Sequence, residues 1–140
     1  MIIQNMQSDL QKQKRGTAMK ITNFSPIIVT KDAKSVTELF EALGFEHRHR
    51  KEGVGGGKVN VYDMKHPSGF RVDVAQTDGL PQDQTLIRMN VDNIEEALEL
   101  LTSRGFKNPL GDEIEDSGSS KTALMVSPSG FAIRVIQHTK

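Results

Sequence analysis

The chain of 140 residues carries 18 basic and 18 acidic side chains, so no net charge draws it to a nucleic-acid backbone or an anionic membrane surface. It has no cysteine, which excludes disulfides and thiolate metal sites. No apolar run approaches the roughly 18 residues that span a bilayer, and the opening stretch lacks the continuous apolar segment of a secretory signal, so a cytoplasmic protein is expected.

Residues 1–18 are polar and rich in Gln, which predicts a flexible N-terminal arm. The patterned sequence follows. The apolar stretch 25–30, "SPIIVT", reads as a strand, and Asp32 then opens a helix with Val36, Leu39, Phe40 and Leu43 on one face. An Asp suits the N-cap and Gly44 suits the left-handed C-cap. Strands are expected over 45–51, 58–64 and 70–77, the last two joined by a Pro-Ser-Gly turn. The second half repeats the order: a strand at 85–91, a helix from Asp92 with Ile94, Ala97, Leu98 and Leu101 closed by Gly105, and strands from 106, over 121–127 and over 131–138.

The repeat is also literal. "HPSGFRVDVAQ" at 66–76 returns as "SPSGFAIRVIQ" at 127–137, and the alignment that pairs Pro67 with Pro128 pairs "LGF" at 43–45 with "RGF" at 104–106. Two β-α-β-β-β modules, 19–78 and 84–138, follow, and a unit of about 60 residues buries too little surface to stand alone, so the two are expected to pack as one domain. Alternation sends Phe70, Val72 and Val74 to one strand face, and Arg71, Asp73 and Ala75 to the other. The Phe-led face is expected to meet the helix, with Phe plugging the core, while the other face lines a concavity. At one repeat position the first copy holds Asp73 and the second Arg134.

Two further motifs carry less. "EGVGGGKV" at 52–59 has neither the Ser or Thr after its Lys nor the following helix that a phosphate loop needs, so it reads as a hairpin loop. "HRHR" at 47–50 would set His47 and His49 on one strand face, without a third metal ligand near them in sequence.

The strand running into Asp32, the helix ending in "LGFE" at 43–46 and the "HPSGFRVDVAQ" strand resemble the vicinal oxygen chelate superfamily of glyoxalases, extradiol dioxygenases and bleomycin-resistance proteins. The resemblance covers 19–138 and implies an α+β fold in which two βαβββ modules form a curved mixed sheet or open barrel, commonly in a homodimer. In metal-using relatives the ligands head the first strand and end the fourth strand of each module, positions that fall here on Ser25, Leu86, Asp73 and Arg134. Only Asp73 is a fitting ligand, and Arg134 would place a fixed positive charge beside the cation. No metal and no cofactor are therefore expected. The paired positions suggest instead a salt bridge between Asp73 and Arg134.

Alternation adds Arg88, Asn90 and Arg71 to the face of that pair, with Ser25 and Tyr62 as neutral hydrogen-bonding partners. Three arginines against one Asp fit a small organic anion. The expectation is thus a metal-free, glyoxalase-like small-molecule-binding protein whose ligand-binding residues are Ser25, Tyr62, Arg71, Asp73, Arg88, Asn90 and Arg134. The alternatives are a lyase, isomerase or dioxygenase of the same superfamily, metal-dependent or using Asp73 as base, and an antibiotic-sequestering protein. The last has few aromatic platforms, since the chain has no Trp and one Tyr.

Overall fold

The computed structural model describes residues 18–53, 59–109, 111 and 114–139, with 49–53 and 59 as backbone alone. The N-terminal arm up to residue 17 and the centre of the glycine loop, 54–58, lie outside the described residues. Strand β1 (Ile21–Thr30) runs into helix α1 (Ala33–Ala42), then β2 (Glu46–Gly53), β3 (Val59–Lys65) and β4 (Arg71–Gln76). The second half gives β5 (Gln84–Val91), helix α2 (Ile94–Ser103), β6 (Glu115–Asp116), β7 (Ser120–Val126) and β8 (Ala132–His138).

The strands form one eight-stranded mixed sheet in the order β2-β3-β4-β1-β5-β8-β7-β6, open at β2 and β6. Each half contributes the same arrangement, and the halves meet along the antiparallel pair β1 and β5, where Pro26 lies opposite Ile87. Those two positions are equivalent in the repeat, so the pseudo-two-fold axis passes between them. The two modules of one chain therefore complete each other's sheet. Equivalent parallel pairs flank the centre: Ile27 opposite Asp73 on β1 and β4, and Arg88 opposite Arg134 on β5 and β8.

Matching local chemistry brackets both helices. Asp32 caps α1 by accepting from the Ser35 amide and hydroxyl, at 3.2 and 2.7 Å. The cap of α2 is Asn93, which accepts from the Glu96 amide at 3.1 Å, whereas Asp92, the residue expected there, accepts from the Lys20 amide. Moving the cap one residue lets Asp92 tie β1's approach to the helix. The conserved spelling of the repeat also has a structural reason at its last residue. Gln76 accepts from the first α1 amide, that of Ala33, and Gln137 from the first α2 amide, that of Ile94, each at 2.8 Å. Each helix N-terminus is thus satisfied from the end of its own fourth strand.

At the C-termini the Phe45 amide reaches back to the Phe40 carbonyl and Phe106 to Leu101. Gly44 and Gly105 take the positive φ that this closure requires, +100° and +92°. A Cβ on Gly105 would stand 3.0 Å from the Pro128 ring, while one on Gly44 would meet the movable tip of His66 at 3.0 Å. Gly105→Ala is expected to cost roughly 1–2 kcal/mol from the left-handed backbone alone, plus the ring contact. Thermal denaturation of the two variants should therefore place Gly105→Ala below Gly44→Ala.

The face expected to meet the helices does so. Val72, Val74 and Met64 pack with Ala33, Val36 and Phe40 under α1, and Ile133, Val135 and Met125 with Ile94 and Ala97 under α2. Phe70 and Phe131 depart from expectation, since they do not plug the core but are exposed, 66% and 51%. They precede the first residues of β4 and β8, so their rings remain at the rim, Phe70 beside His66 and Phe131 edge-on to Phe106. The strand expected from 106 is reduced, among the described residues, to the Lys107–Val126 bridge and two-residue β6.

Candidate functional site

Strand alternation gives the sheet a second face, opposite the helices, that carries Ser25 and Ile27 from β1, Asp73 and Ala75 from β4, Arg88 and Asn90 from β5, and Arg134 and Ile136 from β8. Cross-strand register fixes their neighbours: Ser25 opposite Arg88, Asp63 opposite Asp73, and Leu124 opposite Arg134. Ser25, Ile27, Asp73, Ala75, Asn90 and Ile136 are all buried although no described helix lies on this face. The curl of the sheet gathers them.

The expected salt bridge between Asp73 and Arg134 is not formed. Asp73 Oδ2 instead accepts from Arg88 Nη1 at 2.6 Å, and the same guanidinium donates through Nε to Asn90 Oδ1 at 3.0 Å. The reason lies in strand order. Neighbouring strands are roughly 5 Å apart, so Arg88 on β5 has only β1 to cross before reaching β4, whereas Arg134 on β8 is one strand further away. Asn90 in turn meets His138 at 3.3 Å, which braces Arg88 from β8.

Arg134 occupies a different position electrostatically. Among the described residues no carboxylate lies within ion-pair distance of it. Burial pulls its guanidinium below the usual arginine value, opposed by the Glu115 carboxylate, while Arg88 lowers it further and Asp73 raises it. It is a partly exposed cation within ion-pair distance of neither carboxylate.

Asp73 is raised above the ordinary aspartate value: burial raises it, Arg88 opposes this by charge and hydrogen bond, and the neighbouring Asp63 carboxyl raises it again. Asp63 belongs to this face as well. It is buried opposite Asp73, its Oδ2 lies 3.6 Å from Arg71 Nη1, and its Oδ1 is buried with no hydrogen-bond partner. Ser25 is buried on this face, its hydroxyl accepting from Asn23 Nδ2 at 3.2 Å.

Tyr62 is a correction. Its register partner is Val74, and it packs with the α1 core on the helix side of the sheet rather than on the charged face. In "VNVYDMK" the choice between Tyr62 and Asp63 is a choice of parity, and a shift of one residue exchanges the faces. Met64, an apolar residue of Tyr62's parity, was the available signal. In "HRHR" a register shift sets His47 opposite Met64 and His49 opposite Asp63, and the His47 ring meets Glu41 of α1 at 2.9 Å.

These residues do not fit a divalent cation. Asp73, the one fitting ligand among the four ligand-equivalent positions, is engaged by a guanidinium, Leu86 has no donor atom, and Arg134 repels a cation. Among the described residues no three His, Cys, Asp or Glu side chains converge. A cleft of about 450 Å³ opens on the helix side instead, walled by Phe24, Pro26, Ile28, Phe40, Phe45 and Phe70, and meets the charged face only at Asn23 and Arg71.

Two βαβββ halves joined edge to edge in one open mixed sheet define the fold. The chain has the vicinal oxygen chelate fold. Methylmalonyl-CoA epimerase from Mycobacterium tuberculosis superimposes with a TM-score of 0.69 at 11% identity, over 89% of this chain and 93% of that one. A glyoxalase/bleomycin resistance protein/dioxygenase superfamily member from Vibrio splendidus gives 0.58 at 16%, over 84% and 99%. Glyoxalase I from Zea mays gives 0.62 at 16%, over 84% of this chain but 43% of its own, so the chain spans less than half of that enzyme. No family model matches the sequence, and no curated protein matches it. At such identities the likeness is one of fold.

Proposed function

We propose that the face opposite the helices binds a small organic anion without a metal ion, with Arg134 as its anchor. The observation that carries this reading is the inequality of the two central arginines. Arg88 is neutralised by Asp73 and held by Asn90, whereas Arg134, one strand away, keeps a guanidinium with no described ion-pair partner. A carboxylate or phosphate matches its fork of donors. Ile136 on the same strand lies beside it, and Ile27 and Ala75 continue the apolar surface along the same face, which favours a ligand that is partly hydrophobic.

A thermal-shift screen of short carboxylates and phosphate esters tests this, because a ligand bound only by the native state raises the melting temperature by mass action. Arg134→Gln is expected to weaken any such ligand by roughly ten- to a hundredfold, the loss of one charge-assisted contact. A ligand that binds wild type and Arg134→Gln alike would remove Arg134 from the site.

One observation favours a second reading, that of an enzyme. Asp73 has a raised proton affinity and lies in the same polar cluster as Arg88 and Arg134, the combination of base and cation that acid–base chemistry uses. Among the structural neighbours, the epimerase and glyoxalase I are named as enzymes.

A further inference from the structure

Asp63 and Asp73 stand directly opposite each other on β3 and β4, at 9% and 3% exposure. Paired register positions on adjacent strands put their side chains side by side on the same face. One oxygen of each is turned to a guanidinium, Asp73 Oδ2 to Arg88 and Asp63 Oδ2 to Arg71. The Arg71 contact is loose, at 3.6 Å, and Asp63 Oδ1 is left buried with no donor. With both groups ionised, two acceptors would confront each other out of water, which is costly for an unpaired buried oxygen. A single proton converts the contact into an O–H···O⁻ hydrogen bond and supplies the missing donor.

We propose that Asp63 and Asp73 hold one proton between them, forming an acid–base pair in the curl of the sheet, and that anion binding at Arg134 is linked to that proton. The repeat shows that the pair is specific to the first module. The positions equivalent to Asp63 and Asp73 hold Leu124 and Arg134, so the second half has no carboxyl at either position. The charged groups facing the pair are Arg71 on β4, Arg88 on β5 and Arg134 on β8, with Glu115 acting on Arg134 from β6. His49 of β2 stands at the register position opposite Asp63, its side chain outside the described residues. Together they let the pair give or take one proton at a ligand without both carboxylates losing their partners. The pair rests on the side-chain geometry alone; its linkage to a ligand rests on the anion-binding reading above.

Two measurements test this separately. Carbon-13 carboxyl resonances of aspartate-labelled protein, followed against pH, are expected to show Asp63 and Asp73 titrating as a coupled pair in two steps. Asp63→Asn, or Asp63→Leu as the second module spells it, should leave one step at Asp73. Independent one-step titrations in wild type, or an Asp73 transition unchanged by both variants, overturn the pair. Infrared detection of a protonated carboxyl in wild type decides the same point if neither variant folds, its absence at neutral pH counting against the proposal. Calorimetry with propionate in two buffers of different ionisation enthalpy then reads the linkage: proton exchange on binding in wild type, lost in Asp63→Asn, is expected. Binding without proton exchange overturns the linkage, whereas no binding at all, with coupled titration intact, overturns only the propionate-binding form of the ligand reading.

Discussion

Replacing Arg88 by alanine is expected to destabilise the protein by roughly 3–5 kcal/mol, because it strands the buried Asp73 carboxylate. For a chain of this size that is a fall in melting temperature on the order of 10 °C. The loss should depend on pH in a defined direction. Asp73 already holds its proton above the ordinary aspartate value, and removing Arg88, which opposes that, raises it further. A group raised in the folded state favours folding while protonated, and that advantage is lost as pH rises through its folded value. The variant should therefore lie closest to wild type near pH 4 and fall away toward neutrality. Arg134→Ala should cost less, and a double-mutant cycle should give a large coupling for Asp73 with Arg88 and a small one with Arg134.

The second large effect belongs to the core. Ile94 opens α2, is fully buried, and packs among Met89, Met125 and Val135. Ile94→Ala is expected to cost roughly 2–5 kcal/mol through lost burial and the cavity left behind. The same residue's amide is held by Gln137, so the cavity opens where helix and sheet are tied together, and collapse to fill it is restricted. Chemical denaturation should show the midpoint moving at an unchanged slope; a changed slope would point to an altered denatured or native state.

The sequence reveals the architecture because the repeat writes it twice. Pro-Ser-Gly marks the same turn in both copies, the Phe45 and Phe106 closures follow two equivalent glycines, and alternation assigns Val72, Val74, Ile133 and Val135 to the helix side. All of these are local rules of period and dihedral. The charged face was legible as a set of residues, Asp73, Arg88, Asn90 and Arg134, but not as a set of pairs. Pairing depends on which strands lie side by side, and the order β4-β1-β5-β8 gives Asp73 to Arg88 rather than to its repeat equivalent. The exchange of Tyr62 for Asp63 has a related origin: parity along a strand sorts residues into two sets, and only the register with β4 says which set faces the curl. Phe70 and Phe131 keep the helix-side face, at the cleft and against Phe106, yet stay exposed at the rim before the first residues of β4 and β8, because alternation gives a residue's face and not its burial.

A guanidinium holds the carboxylate at the ligand-equivalent position of the fourth strand, and on the proposed reading this leaves the curved face selective for anions. Titration of the purified wild-type protein with Mn²⁺, followed by calorimetry, tests it most directly. No saturable heat is expected; one-to-one binding abolished by Asp73→Asn would mean that the carboxylate is free to coordinate a cation.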